Sequence, residues 1–162
     1  MLAPLRERAE FLIDTTQMPA AKLRSELYAL FGDKAARGKL NISVVSFGYK
    51  YGVPLEADLV FDVRFMPNPF YVPELRGKTG MDAAVYDYVF SFPQAQTFLQ
   101  KLEDLLAYLL PLYSEEGKTM LVIAVGCTGG RHRSVSIARA LTEYLTDAGY
   151  PAYANHRDMT RG

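Results

Sequence analysis

The segment Gly126–Ser134 holds the residue types and the spacing best suited to chemistry in this chain, with the sequence Gly-Cys-Thr-Gly-Gly-Arg-His-Arg-Ser. It follows the apolar run Met120–Val125 and precedes apolar residues at helical spacing. A strand that ends in a glycine-rich turn and opens a helix directs backbone N–H groups at one point. Arg131, His132 and Arg133 add cationic or hydrogen-bonding groups around that point. The segment therefore predicts a site for an anion, most often a phosphate.

Two kinds of chemistry fit this loop. Cys127 and Arg133 have the spacing found in cysteine-dependent phosphatases, where a thiolate attacks phosphorus and an arginine stabilises the oxyanion. Gly126 stands where that class usually has a histidine, however, and the sequence identifies no general acid. In the other interpretation, Cys127 is a small buried residue and the loop binds phosphate without cleaving it. We expect no catalytic residue and keep Cys127 and Arg133 as the alternative catalytic pair.

Three further polar side chains lie at or after the ends of other predicted strands, namely Lys50, Asp62 and Arg64. Ligands of parallel α/β sheets bind beyond the carboxyl ends of the strands, so these residues are expected to meet the loop in one pocket. Asp62 could orient a sugar hydroxyl or an amine, or it could pair with Arg64 or Lys50. The segment that begins at Asn68 could form a pocket wall or a rigid packed loop.

Strands and helices alternate along the chain, which predicts a layered α/β domain with a largely parallel sheet and a strand, Gly-rich loop and helix that form the anion site. The predicted strands are 42–47, 57–65, 120–125 and 151–155, and the predicted helices are 20–30, 82–90, 94–112 and 137–149. Residues 33–39 are predicted to be a linker, and residues 66–73 an irregular loop with three prolines. In the 94–112 helix, we expect Phe98, Leu102, Leu105, Leu109 and Leu112 on one core-facing side, with Leu99, Leu106 and Leu110 beside it.

The composition narrows the possible function classes. Lys plus Arg and Asp plus Glu both number 18, so any basic patch must be local. One cysteine and two histidines predict no disulfide framework and no metal site. The Walker A pattern is missing, and no cofactor is expected. Without a membrane-length apolar run or a secretory signal pattern at the N-terminus, we expect a cytoplasmic protein with no membrane partner.

Four segments in register resemble the C-terminal domain of the RapZ/YvcJ family of bacterial RNase adapter proteins. They are residues 46–52, 58–65, 68–69 and 126–134, within a resemblance that spans 40–157. Residues 4–15 resemble the end of that family's N-terminal P-loop domain. We therefore expect 1–37 to be a remnant of that domain plus a linker, and 38–162 to be the sensor and RNA-binding domain. The full-length relatives bind, and in one branch hydrolyse, ATP or GTP through the part that this chain lacks.

The resemblance implies a regulatory, non-enzymatic role. Members of the family bind small RNAs, present them to an endoribonuclease, self-associate and sense glucosamine-6-phosphate. Carried over by position, the ligand-binding candidates are Lys50, Asp62, Arg64, Asn68, Thr128, Gly129, Gly130, His132, Arg133 and Ser134. The RNA-binding candidates are Arg131, Arg139, His156, Arg157 and Arg161. Phe70 replaces a histidine found in some members, and the C-terminus has few basic residues, which predicts weak RNA binding.

Overall fold

The computed structural model describes residues 39–161 without a gap, together with scattered positions between 11 and 30. The chain divides into two compact units, Met1–Arg37 and Gly38–Gly162. In the first unit Leu23, Leu27 and Leu30 are helical, as their spacing predicts. Ala20, the predicted linker up to residue 38 and residues 4–10 of the expected P-loop remnant lie outside the described residues.

The second unit is built on a four-stranded sheet in the order β2–β3–β1–β4, and every pair of neighbours is parallel. The strands are β1 (Asn41–Gly48), β2 (Leu59–Asp62), β3 (Met120–Cys127) and β4 (Ala152–His156). The register places Gly48 beside Cys127 and Asp62 beside Gly126, so the carboxyl ends of the neighbouring strands β2, β3 and β1 meet at one edge of the sheet. The prediction of a layered α/β domain with a largely parallel sheet is confirmed.

Strand β2 is shorter than the predicted 57–65 strand. Beyond Asp62, the Val63 N–H still donates to the Gly126 carbonyl at 2.9 Å. The chain then turns, because the Asp62 carboxylate accepts from the Arg64 N–H at 2.9 Å and the Met66 N–H donates to the Val63 carbonyl at 3.3 Å. An aspartate that caps its own backbone two residues on favours a turn over a continued strand.

The second unit also contains four α-helices among its described residues. They are α1 (Pro73–Arg76), α2 (Ala83–Phe90), α3 (Pro93–Glu116) and α4 (Arg133–Asp147). The proline-rich segment 66–73 is more regular than predicted, because it holds a 3-10 turn at Pro69–Tyr71 and its last residue, Pro73, begins α1. Pro69 and Pro73 stand at the first position of these two elements, where the missing N–H needs no partner.

The core lies where α3 and α4 cover the sheet. Residues of β1 and β3, among them Val44 and Ile123, pack with Leu141 of α4 in one buried cluster. The buried side of α3 is Leu102, Leu106 and Leu110, whereas Leu105 and Leu112 are each 43% exposed. The prediction that placed Leu105 and Leu112 on the core-facing side was therefore wrong by part of a turn. Among the described residues, no helix is long and apolar enough to cross a membrane.

Candidate phosphate-binding site

The loop between β3 and α4 packs directly against the end of β1. Gly130 has a φ of 72°, and a Cβ built there would lie 2.5 Å from the Gly48 nitrogen. Only glycine fits that position without moving backbone. At Gly129, by contrast, the nearest atom to such a Cβ is the Lys50 Cε at 3.8 Å. The loop is therefore fixed on one side and open beside Lys50.

A cavity of about 360 Å³ opens above this loop, and we call it the cationic cavity. Its lining residues are Lys50, Asn68, Phe70, Tyr71, Arg76, Cys127, Thr128, Gly129, Arg131, His132, Arg133 and Arg161. Five of them are lysines or arginines and none is a carboxylate. Such a lining attracts anions, and arginine suits phosphate oxygens in particular.

The structure brings together six of the ten ligand-binding candidates in the lining of the cavity. They are Lys50, Asn68, Thr128, Gly129, His132 and Arg133. Gly130 and Ser134 do not line the cavity. The Gly130 N–H donates to the Cys127 Sγ at 3.2 Å. The Ser134 Oγ lies 3.1 Å from the same sulfur. These two residues hold the loop around the thiol.

Asp62 and Arg64 do not line the cationic cavity. The Arg64 Nη2 lies 2.6 Å from the Asp62 Oδ2, and both side chains are more than 40% exposed. The hydrogen bond from Arg64 holds the pKa of Asp62 below its usual value. The Arg64 guanidinium also lies 4.1 Å from the centre of the Tyr49 ring. Of the two interpretations of Asp62, pairing with Arg64 is the one observed, and a role for either residue in ligand binding stays a prediction.

Cys127 lies at the floor of the cavity, with 3% of its surface exposed. Burial alone raises the pKa of a thiol. Here the hydrogen bonds from Ser134 and Gly130 and the positive charge of Arg133 outweigh burial, and the pKa of Cys127 is lowered. The loop thus stabilises a negative charge on the sulfur.

Arg133 links the loop to the turn after β2. Its Nη1 donates to the carbonyls of Arg64 at 2.8 Å and Met66 at 2.9 Å, and its Nη2 donates to the Thr128 Oγ1 at 3.3 Å. The side chain is 4% exposed, and its Nε has no hydrogen-bond partner in the part of the chain that is described. A buried donor without a protein partner is costly, so this N–H favours an acceptor from a bound group.

His132 is the second buried residue of this kind. It is 6% exposed, and its Nε2 also lacks a partner among the described residues. Burial lowers the pKa of His132, and the neighbouring charge of Arg131 acts in the same direction, while backbone carbonyls around Lys78 partly oppose them. The imidazole is therefore neutral near pH 7 and offers hydrogen bonds rather than charge.

Two residues of the site, Arg76 and Asp158, have no clear sequence signal. Arg76 lines the cavity, and its Nε donates to the Phe70 carbonyl at 3.0 Å while its guanidinium lies 5.0 Å from the Phe70 ring. Phe70 and Tyr71 form an aromatic wall in the predicted proline-rich loop. The fully buried Asp158 accepts from the Gly48 N–H at 2.9 Å, beneath the glycine loop. The segment that begins at Asn68 was interpreted as a pocket wall or a rigid packed loop, and its residues Phe70 and Tyr71 line the cavity.

The RNA-binding candidates lie in different surroundings. Arg131 and Arg161 line the cationic cavity. Arg157 pairs with Asp158 at 2.7 Å, and the His156 Nδ1 lies 2.8 Å from the Ser46 Oγ. Arg139 lies further along α4, where it pairs with Glu143 at 3.1 Å. Their role in RNA binding stays a prediction.

Within the described residues, no group of three or more His, Cys, Asp or Glu side chains is placed to hold a metal ion. The site is built instead from arginines, a lysine and a glycine loop at the carboxyl edge of an all-parallel sheet. Fold and site together define an α/β domain with a phosphate-type anion loop.

Comparison with known proteins gives the family. Residues 40–160 match the family model described as the RapZ C-terminal domain, and the chain belongs to this family. The resemblance of the four sequence segments is thereby confirmed.

Curated relatives match almost the whole chain. A protein of Carboxydothermus hydrogenoformans is 51% identical over 160 residues, which cover 99% of this chain and 55% of the relative. A protein of Heliobacterium modesticaldum is 50% identical over 161 residues, which cover 99% of this chain and 54% of the relative. Both carry the name nucleotide-binding protein. The chain thus spans about 55% of the length of the first of these relatives and about 54% of the second.

Proposed function

We propose that this chain is a regulatory domain that binds a phosphorylated amino sugar of the glucosamine-6-phosphate type. The observation that carries the proposal is the cationic cavity, with five cationic side chains, no lining carboxylate and a glycine loop. The buried, unpartnered Nε of Arg133 supports it further, because a phosphate oxygen could accept from this N–H. The amino-sugar part rests on the family to which the chain belongs.

The two sides of the cavity suit the two ends of such a ligand. Thr128, Gly129 and Arg133 form the side that suits phosphate, as backbone and guanidinium donors do in other phosphate sites. Phe70 and Tyr71 offer apolar faces to a sugar ring, and Asn68 offers hydrogen bonds to its polar groups.

The proposal extends to partners of macromolecular size. In the setting of a longer protein, this domain would report the sugar phosphate to a small RNA and an endoribonuclease, as a cytoplasmic homo-oligomer. Membership of the RapZ family supports this role.

A ligand panel tests the proposal. The thermal midpoint of the chain is measured with glucosamine-6-phosphate, glucosamine and inorganic phosphate in parallel. At about 100 times its Kd, the specific ligand adds about 2.7 kcal/mol to the free energy of unfolding. We expect the largest shift with glucosamine-6-phosphate, a smaller one with phosphate and none with glucosamine. Equal shifts with both phosphates would contradict sugar recognition, and no shift would contradict the site.

A matched pair of lysine variants locates the ligand. Lys50 lines the cavity, whereas Lys101 lies exposed on α3 and outside the cavity lining. Lys50→Ala removes a charge from the phosphate site, so we expect its Kd for glucosamine-6-phosphate to rise about tenfold. Lys101→Ala removes the same charge elsewhere, and its Kd should equal that of the wild type in a calorimetric titration. Equal effects of the two variants would show that only the overall charge matters.

A cysteine-dependent phosphatase is the second candidate function, favoured by the lowered pKa of Cys127 at the cavity floor. Two observations weigh against it. A side chain at Gly126 would meet the Phe47 ring at 2.5 Å, and no carboxylic acid lines the cavity to protonate a leaving group. Cys127→Ser separates the candidates, because it abolishes phosphatase turnover but leaves the sugar-phosphate affinity within about twofold if the site only binds. Measured turnover that disappears in Cys127→Ser would favour the enzyme.

A further inference from the structure

Cys127 is the one cysteine of the chain, and its surroundings are those of an anion rather than of an inert core thiol. The Sγ receives the Gly130 N–H at 3.2 Å and lies 3.1 Å from the Ser134 Oγ. Its exposed fraction is 3%, yet the residue lines the cationic cavity, so a small solute would reach the sulfur through that cavity.

A second, independent feature marks the same place as a site for a negatively charged group. Arg133 and His132 both line the cavity and are more than nine-tenths buried, and each has one nitrogen without a partner in the described structure. Arg133 donates to Thr128, the neighbour of Cys127 in the chain, and its positive charge acts on the sulfur, so an oxygen atom bonded to the Cys127 Sγ would lie near this guanidinium. Such an oxygen atom would also occupy space and donors that a bound phosphate requires.

We propose that Cys127 is a peroxide-oxidisable thiol at the floor of the cationic cavity, and that its oxidation to a sulfenic acid lowers the affinity of the cavity for phosphate ligands. The second half rests on the proposed function. The oxidant is hydrogen peroxide: the thiolate sulfur attacks one peroxide oxygen, an S–O bond forms and the O–O bond breaks. The sulfur loses two electrons, and the departing hydroxide takes up a proton to become water.

The chain offers a matched pair of serines for the test. Ser134 and Ser136 are both fully buried on α4. The Ser134 hydroxyl contacts the thiol, whereas the Ser136 hydroxyl donates to the His132 carbonyl at 3.1 Å. Ser134→Ala removes a hydrogen bond to the charged sulfur, so its thiolate fraction near pH 7 should fall about tenfold. Ser136→Ala removes a buried hydroxyl of the same type without touching the sulfur.

The experiment treats the full chain with hydrogen peroxide and a cyclic 1,3-diketone that traps sulfenic acid, and intact mass spectrometry follows the adduct. We expect labelling of the wild type and of Ser136→Ala at equal rates, about tenfold slower labelling of Ser134→Ala, and none of Cys127→Ser. Saturating inorganic phosphate should slow labelling of the wild type, and peroxide-treated protein should show a smaller thermal shift with phosphate.

Each part can fail separately. A folded wild type that peroxide does not label would overturn the oxidisable thiol whether or not phosphate binds. Equal labelling of the two serine variants would overturn the role of the Ser134 hydroxyl in activating the thiol. Labelling that bound phosphate does not slow, or an unchanged phosphate affinity after oxidation, would overturn the link to the ligand. If the reduced protein binds no phosphate at all, the proposed function and the second half fall together, while labelling of the wild type against Cys127→Ser still decides the first half.

Discussion

At the scale of single residues, Asp158 ties the C-terminal segment to the glycine loop. Its fully buried carboxylate accepts from the Gly48 N–H and from Arg157, and Arg161 lies 3.6 Å away. Burial works to raise the pKa of Asp158, but the bonds from Arg157 and Gly48 outweigh it and the pKa is lowered. The ionised form is therefore the one that stabilises the fold.

Asp158→Asn should lower the free energy of unfolding by about 1–3 kcal/mol near pH 7, because it leaves charged and backbone donors poorly paired. The pKa of Asp158 is lowered on folding, so its contribution is complete above the unfolded value of about 3.9 and is lost as the pH falls through the folded value. The difference between wild type and variant should therefore shrink below about pH 4. Urea unfolding at several pH values measures it.

Asp104→Asn is the control, since Asp104 is an exposed residue of α3. Near pH 7 its free energy of unfolding should lie within about 0.5 kcal/mol of that of the wild type. A gap between Asp158→Asn and the wild type that grows as the pH falls would contradict the account of the Asp158 carboxylate.

Site residues that belong to a local sequence motif were predictable, whereas residues brought to the site only by long-range contacts were not. Lys50, Asn68 and Arg133 were predicted, and the structure places them around one cavity. Asp158 could not be predicted, because its partner Gly48 lies 110 positions away in the chain. Nothing local in the sequence distinguishes its carboxylate from a solvated one.

At the scale of elements, Gly130 and Gly129 of the loop have different surroundings: Gly130 packs against backbone, whereas Gly129 lies beside open space. A Cβ at Gly130 would meet backbone at 2.5 Å and stand at a φ of 72°, whereas one at Gly129 meets nothing closer than 3.8 Å. Gly130→Ala should lower the free energy of unfolding by at least about 2 kcal/mol. Gly129→Ala should leave stability within about 0.5 kcal/mol of the wild type but weaken phosphate binding, because its methyl group enters the open side of the loop.

Thermal unfolding and a phosphate titration of both variants check this pair. A Gly129→Ala protein with unchanged phosphate affinity would show that the ligand does not approach the loop at that point. A fully stable Gly130→Ala protein would show that the packing of the loop on β1 is adjustable.

The elements were predictable to different degrees for physical reasons. Strand β3 is a continuous apolar run and β1 interrupts its apolar residues only with Ser43 and Ser46 after its first position. Both strands are buried on both faces, which indicates central parallel strands. The end of β2 was not predictable from alternation, because the apolar pattern continues through Val63 while the Asp62 carboxylate turns the backbone. On α3 the leucines are so dense that spacing alone did not select the buried side.

At the scale of the whole molecule, zero net charge coexists with a locally cationic cavity. RNA contact, if the proposed role is correct, should therefore depend on few side chains. Arg161 lines the cavity with a side chain that is 59% exposed, whereas Arg139 pairs with Glu143 on α4. Arg161→Ala should reduce the slope of log K against log salt for a small RNA by about 1.

Arg139→Ala serves as the comparison, and its salt slope should match that of the wild type. Filter binding at four salt concentrations measures both slopes. A larger loss in Arg139→Ala than in Arg161→Ala would move the RNA surface away from the cavity and onto the outer face of α4.

The most direct measurement is a two-dimensional amide NMR titration of the chain with glucosamine-6-phosphate. We expect saturable chemical-shift changes for the amides of Thr128, Gly129, His132 and Arg133, with smaller changes at Lys50 and Phe70. We expect no such changes with glucosamine at the same concentration. Shifts confined to residues outside the cationic cavity, or none at millimolar ligand, would contradict the claim that this cavity receives a sugar phosphate.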